Sequence, residues 1–278
     1  MIVPEKSPAR MPPTALKPST TERIALRGLD YNVRRWGPAD APRVFLLHGW
    51  FGSAQGWGSF PDYLNPELAT WVFTDSRGYG ARMNEAGVFT LDEVAGDVLA
   101  LADDLGADSF SLIGHSMGGA GVLRVLAKAP QRVRKIIGLT PVGASPTPFD
   151  EDGRNLFWGA VDSRDMRMGI IDFTTGNRLT STWVASIADW SLEHSTREAF
   201  HGALEAWAKP DFLAEIAGND TPMLVIPGEH DPALGEATVR QTWEPHFPNC
   251  TIEVMPNAGH YPMFETPVAL ATNITNFL

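Results

Sequence analysis

Between Phe110 and Leu126 an apolar run passes through Gly114-His115-Ser116-Met117-Gly118-Gly119 and emerges as a helical pattern carrying Val122, Leu123, Val125 and Leu126. A chain that changes from strand to helix over so few residues must bend sharply. Glycine is needed at 114 and 118, because side chains there would collide with the neighbouring strand and helix. The bend lifts the Ser116 hydroxyl clear of the sheet and places it at a helix N-terminus, where unpaired N–H groups stabilise developing negative charge. This is the setting of a nucleophilic serine. The G-x-S-x-G pentapeptide alone is weak evidence; the strand before it and the helix after it make it specific. His115 cannot be the base for its own neighbour, since adjacent residues on a sharp turn point apart, so a packing or hydrogen-bonding role is expected.

The rest of the chain alternates short apolar runs with longer amphipathic ones, the pattern of a sheet covered by helices on both faces. Glu22 to Arg27 and Tyr31 to Arg35 read as an opening pair of strands. Val44 to Leu47, Trp71 to Thr74, Phe110 to Ile113, Val133 to Leu139, Met223 to Ile226 and Thr251 to Met255 follow, most of them near-continuous apolar runs of the kind buried parallel strands show. Leu91 to Leu105 has helical spacing and is stopped by Gly106, and Pro262 to Leu278 reads as a closing helix. From 143 to 212 the alternation fails, leaving helical patches rich in Trp, Met and Phe. The expected organisation is therefore a flexible proline-rich tail over 1–20, an α/β core over 21–142 and 213–278, and a helical cap over 143–212 inserted after the sixth strand. The sheet is expected to hold eight strands, mostly parallel.

Three further loops follow strands. Val44 to Leu47 ends in His48-Gly49-Trp50-Phe51-Gly52, where Gly49 lets the backbone approach a substrate closely. Attack on an ester carbonyl puts negative charge on oxygen, and preorganised backbone N–H donors are worth about 3 kcal/mol each there. The N–H of Met117 is one expected donor and that of Trp50 the other, with Phe51 in its place if the turn is shifted by one residue. His48 is expected to hold the loop by hydrogen bonds. Met223 to Ile226 leads into Pro227-Gly228-Glu229-His230-Asp231-Pro232, where Asp231 is favoured over Glu229 as the acid aimed back at the site. Thr251 to Met255 leads to Gly259-His260, the best placed of seven histidines to act as general base. The order Ser116, Asp231, His260 along the chain is that of one serine hydrolase fold and not of the others.

With these residues in view the chain resembles the α/β-hydrolase superfamily over roughly 22–278, and within it the small bacterial esterase, lactonase and cofactor-free perhydrolase group. The likeness is carried by His48-Gly49-Trp50, Asp75-Ser76-Arg77-Gly78-Tyr79-Gly80, Gly114-His115-Ser116-Met117-Gly118-Gly119, Gly228-Glu229-His230-Asp231 and Gly259-His260. It implies the α/β-hydrolase fold, with Asp75 and Arg77 bracing a strand end. Serine at 116, where similar haloalkane dehalogenases and epoxide hydrolases carry aspartate, argues against both of those activities.

The expected reaction is hydrolysis of a carboxylic ester or lactone through an acyl-enzyme, with no cofactor and no metal. Phe51, Trp158 and Trp183 are the candidate substrate contacts, and the aromatic richness of the presumed cap points to an apolar or aromatic small molecule. C–C bond hydrolysis or perhydrolysis on the same triad, and a receptor-like hydrolase that binds a small signal, are the alternatives. A net charge of −11 disfavours nucleic acid and anionic membrane surfaces as partners. No stretch of 18 apolar residues is present, so a membrane-spanning helix is not expected. The single cysteine, Cys250, excludes an internal disulfide and reads as a small packing residue. A cytoplasmic monomer or homodimer is the default.

Overall fold

The computed structural model describes residues 20–26, 29–36 and 41–278, with backbone alone up to residue 36. Apart from Thr20, the proline-rich stretch read as a tail lies outside the described residues.

Eight strands form one sheet: β1 (Thr20–Leu26), β2 (Leu29–Trp36), β3 (Arg43–Leu47), β4 (Thr70–Thr74), β5 (Phe110–His115), β6 (Val133–Leu139), β7 (Met223–Ile226) and β8 (Cys250–Ile252), in the order β1-β2-β4-β3-β5-β6-β7-β8. The parallel sheet has six strands, β4 to β8 with β3 among them; β1 and β2 extend it as antiparallel strands, β2 pairing with β4. Burial explains the apolar runs. Every residue of β4, β5 and β7 is buried, whereas the edge strand β8 is not and alternates instead. Strand β8 is shorter than the apolar pattern suggests. After Ile252 the ladder breaks up, and the chain keeps contact with its neighbour through separate bonds such as Glu253 N–H to Val225 O and Met255 N–H to Pro227 O.

The helices of the sheet layer are α1 (Leu91–Asp104), capped by the Thr90 hydroxyl, and α2 (Met117–Lys128), which starts one residue before Gly118. Between β6 and β7 lie α3 (Glu151–Gly159), α4 (Arg164–Thr174), α5 (Ser181–Glu193), α6 (Arg197–Ala208) and α7 (Leu213–Ile216). The first four of these begin behind a capping side chain. Asp150, Ser163, Thr180 and Thr196 accept from the N–H groups of Gly153, Met166, Trp183 and Ala199. Then come α8 (Glu236–Thr242), α9 (Pro262–Glu265) and α10 (Pro267–Phe277). The single closing helix expected from 262 onward is two helices, because Pro267 has no N–H to continue the first. Among the described residues no helix is long and apolar enough to cross a membrane.

The strand order locates the site. The chain runs from β3 to β4 on one side, then crosses back to β5 on the other side of β3. At such a switch the loops leaving the carboxyl ends of the two central strands diverge and open a crevice. Here those loops are His48-Gly49-Trp50 after β3 and the Ser116 turn after β5.

Candidate active site

Ser116 sits at φ 54° and ψ −118°, a conformation that non-glycine residues rarely adopt. The turn is held by Ser116 N–H to Leu139 O at 3.0 Å, while Ser116 O accepts from Gly119 at 2.8 Å and Val142 at 3.0 Å. The glycines are sterically required. A methyl group on Gly114 would lie 2.3 Å from Gly118 O, and one on Gly118 would lie 2.3 Å from Leu47 O. Ser116 itself is partly exposed amid buried neighbours.

The loop after β3 folds back on itself through Gly52 N–H to Gly49 O at 2.9 Å. His48 braces it: Nδ1 bonds to Gly49 O at 2.8 Å, and Nε2 accepts the Ser76 N–H at 3.2 Å. Because Nε2 is an acceptor, the proton lies on Nδ1. Burial pushes the His48 imidazole below its ordinary range, against the pull of nearby Asp75. Among the described residues no acceptor is bonded to the backbone N–H of Trp50, Phe51 or Met117. Gly49 lies against the nucleophile turn, a methyl group there falling 3.1 Å from Ser116 Cβ.

Asp231 and His260 are brought together from two loops that run backbone to backbone. Glu229 N–H donates to Met255 O at 3.1 Å, and His230 N–H to Ala258 O at 2.9 Å. His260 Nδ1 and Asp231 Oδ2 are 2.6 Å apart, and the other carboxylate oxygen accepts from Ala233 and Leu234 at 2.9 and 3.0 Å. A carboxylate can only accept, so Nδ1 carries the proton and Nε2 offers a lone pair. Glu229 faces away, accepting the Asn257 N–H at 2.8 Å from a half-exposed position.

The His260 backbone is anchored at both polar atoms. Its carbonyl accepts from His115 Nε2 at 2.8 Å and Thr140 Oγ1 at 3.0 Å, and its N–H donates to Thr174 O at 3.1 Å. His115 therefore serves as a hydrogen-bonding support. Burial, with His260 beside it, holds its imidazole well below the ordinary value, so it is neutral. Glu265 accepts from the N–H of Gly259 at 2.9 Å and of Tyr261 at 3.2 Å, and is paired with Arg178 at 3.0 Å. Sequence reading missed Thr140, Thr174, Arg178 and Glu265. Only Glu265, an acid in the first turn after Pro262, carried a local signal, because such an acid can reach back to uncapped N–H groups.

Asp75 and Arg77 brace the end of β4 from two sides. Asp75 accepts from Ala54 and Ala81 at 2.7 and 3.0 Å, and Arg77 forks onto Asp97 of α1 at 3.0 and 2.8 Å. Burial raises the Asp75 carboxyl despite His48 nearby.

A cavity of about 260 Å3 lies beside this constellation, between the 48–58 loop, α5 and the Tyr261 to Phe264 turn. Gly49 and His115, the chain neighbours of Trp50 and Ser116, line it, as does Phe51. Trp183 stands behind its wall, edge-on to Tyr261 and Phe264 at 5.4 and 5.7 Å. Trp158 is elsewhere, its indole N–H given to Glu205 at 2.6 Å. The Trp50 side chain likewise does not line the cavity but turns into the helical segment, its Nε1 donating to Phe200 O at 2.7 Å. Among the described residues no cluster of side chains suited to a metal ion occurs.

Residues 44–273 match the model of the Alpha/beta hydrolase family. A non-heme chloroperoxidase of Streptomyces lividans is 26% identical over 90% of this chain and 96% of its own length. A bifunctional esterase/perhydrolase of Acinetobacter calcoaceticus is 26% identical over 73% of this chain and 79% of its own. Among solved structures, an esterase from Exiguobacterium antarcticum shares the fold with a TM-score of 0.80 at 18% identity, covering 93% of this chain and 99% of that one.

Proposed function

Since this chain belongs to the alpha/beta hydrolase family, we propose that it is a serine hydrolase of neutral, apolar esters or lactones, with Ser116 as nucleophile, His260 as base and Asp231 as orienting acid. The observation that carries the reading is the 2.6 Å bond between His260 Nδ1 and Asp231 Oδ2, with the His260 carbonyl tied at 2.8 Å to His115, the residue before a serine on a strained turn. His260 Nε2 takes the Ser116 proton as Oγ bonds to the carbonyl carbon. The N–H groups of Trp50 and Met117 receive the charge that develops on the carbonyl oxygen. The C–O bond to the alcohol then breaks, the leaving oxygen takes the proton from His260, and the acyl group stays on Ser116. Water, deprotonated by the same histidine, releases the acid.

The cavity supports the substrate class proposed. Its described lining holds two histidines and no Lys, Arg, Asp or Glu, and burial keeps both histidines neutral. A carboxylate buried there would have no counter-charge. Since a cavity of about 150 Å3 accommodates benzene, one of this size takes a ring with a short chain. Helices α3 to α7 act as the cap, α5 contributing Ile187 and Trp190 to the wall. The esterase/perhydrolase relative supports a second outcome on the same acyl-enzyme, in which hydrogen peroxide replaces water and a peracid leaves.

The test is a panel of aryl esters and lactones, with and without hydrogen peroxide, on wild type and Ser116→Ala, together with labelling by a fluorophosphonate. Labelling of wild type alone, and loss of all turnover in the variant, is expected. Folded wild-type protein that takes up no label would remove Ser116 as an activated nucleophile.

A further inference from the structure

Behind the loop that carries Trp50, side chains from three helices form one column. The Trp50 indole stacks on Phe200 of α6 with ring centroids 4.1 Å apart and planes 18° from parallel. Phe157 of α3 is also near-parallel to it, at 5.9 Å and 8°. The guanidinium of Arg167, on α4, lies 3.6 Å from the centroid of Phe200. Arg167 is 2% exposed and its three nitrogens are all engaged: Nε with Ala160 O at 2.9 Å, Nη1 with Ser191 Oγ at 2.9 Å and Nη2 with Val161 O at 3.3 Å. Among the described residues no carboxylate pairs with it. Burial lowers it to about 10, which leaves it a cation at neutral pH.

Asp162, held by Arg197 at 2.6 Å, acts on Arg167 only through space, and a buried cation with no carboxylate in contact is costly, so a neutral side chain would serve mere packing better. The compensation comes from those three hydrogen bonds and from the aromatic face of Phe200, where a desolvated cation gains most. What lies on the far side of that face is the loop of interest. Trp50 stands in a turn that is closed on the Gly49 carbonyl by Gly52 N–H at 2.9 Å and His48 Nδ1 at 2.8 Å, while no backbone bond is made by the Trp50 N–H itself among the described residues. Its side chain is the anchor, held by the stack and by Nε1–H to Phe200 O at 2.7 Å.

We propose that Arg167 and Phe200 are positioning residues that aim the Trp50 N–H at the developing oxyanion. This rests on the assignment of Trp50 as a donor in the reaction above. It makes the helical segment part of the catalytic frame, for α4 also supplies at its other end the Thr174 carbonyl that receives the His260 N–H at 3.1 Å. An oxyanion donor matters only once charge has formed, so loosening it lowers kcat and spares KM.

The experiment compares Arg167→Met, Arg167→Lys and Phe200→Leu with wild type, using a neutral aryl ester and a trifluoromethyl ketone. The ketone mimics the tetrahedral state: Ser116 Oγ bonds to its carbonyl carbon, the π pair becomes an oxyanion, and the proton passes to His260. Arg167→Met and Phe200→Leu are expected to lower kcat by about 10 to 100-fold, the cost of an ångström-scale misplacement, with KM within about threefold. The inhibition constant for the ketone should rise in proportion to the loss of kcat/KM, and Arg167→Lys should recover part of both. Folded variants that keep kcat within about twofold, or that lose kcat with no change in ketone affinity, overturn the proposal. If Arg167→Met does not fold, Phe200→Leu, which keeps an apolar side chain without the ring, decides alone. Ser116→Ala is measured in parallel: if it still turns over the ester, the Ser116 reading fails whatever the Arg167 variants do.

Discussion

A methyl group placed on Gly228 would lie 2.0 Å from the carbonyl oxygen of Gly259. The acid loop and the histidine loop touch there by backbone alone, and this contact sets the spacing of Asp231 and His260. Gly228→Ala must therefore push the loops apart and stretch the 2.6 Å bond between the two side chains. We expect a stability loss of about 1–3 kcal/mol in urea unfolding, the usual cost of overpacking. In the same protein ester hydrolysis should fall by about 100-fold. Retention of most of the activity would show that the contact does not set the triad.

The carboxylate of Asp231 fixes which histidine nitrogen holds the proton, and Asp231→Asn removes that preference while keeping the shape. A loss of about 10⁴ in kcat is expected, by analogy with the effect of the same change in a trypsin-type triad. Glu229→Gln is the paired control. Glu229 bonds to Asn257 on the surface side, and its neutralisation should change kcat by no more than about threefold. Steady-state kinetics reversing that ranking would move the acid role to Glu229.

Much of this site was legible locally. The Ser116 turn announces itself because strand, bend and helix lie within one short stretch, and both glycines are forced by contacts made across that bend. Asp231 and His260 were readable as loop residues just beyond apolar strands. Their partners were not. Arg178 and Glu265 are 87 residues apart, Thr174 contributes only a backbone carbonyl, and Arg167 reads in sequence as an ordinary helix surface residue. Trp158 shows the limit of composition, since aromatic content alone does not tell a residue bonded to Glu205 from one lining the cavity. Strand β8 was overextended for a related reason: apolar alternation continues to Met255, while ladder pairing ends at Ile252.

Substrate charge gives the next expectation. The uncharged lining of the cavity should favour a phenyl ester over its carboxyphenyl counterpart by at least about 100-fold in kcat/KM, because the carboxylate would be buried without a partner. Placing a cation at the wall, Ile187→Arg, should narrow that ratio by improving the charged ester. Equal rates on both esters in the wild type would mean that the varied group does not occupy this cavity.

His115 gives an expectation for stability. In the folded protein burial keeps its imidazole neutral well below the ordinary value of 6.5, whereas in the unfolded chain it takes up a proton as pH falls past that value. Unfolding therefore binds a proton on the acid side. The unfolded state is favoured there by up to about 1.4 kcal/mol per pH unit, so the stability contribution is fully present above 6.5 and is lost as pH falls below it. Glutamine at 115 has an amide that can still donate to His260 O, as Nε2 does at 2.8 Å, and it does not titrate. Urea unfolding from about pH 8 down to about pH 5 should show His115→Gln less stable than wild type at the alkaline end but with a shallower acid limb, by close to one proton. His48 is unsuited to the same test, because burial raises its neighbour Asp75 while lowering the imidazole and the two contributions oppose each other. Parallel acid limbs in wild type and variant would mean that His115 is protonated in the folded state, and its hydrogen bond to His260 would then be that of a cation.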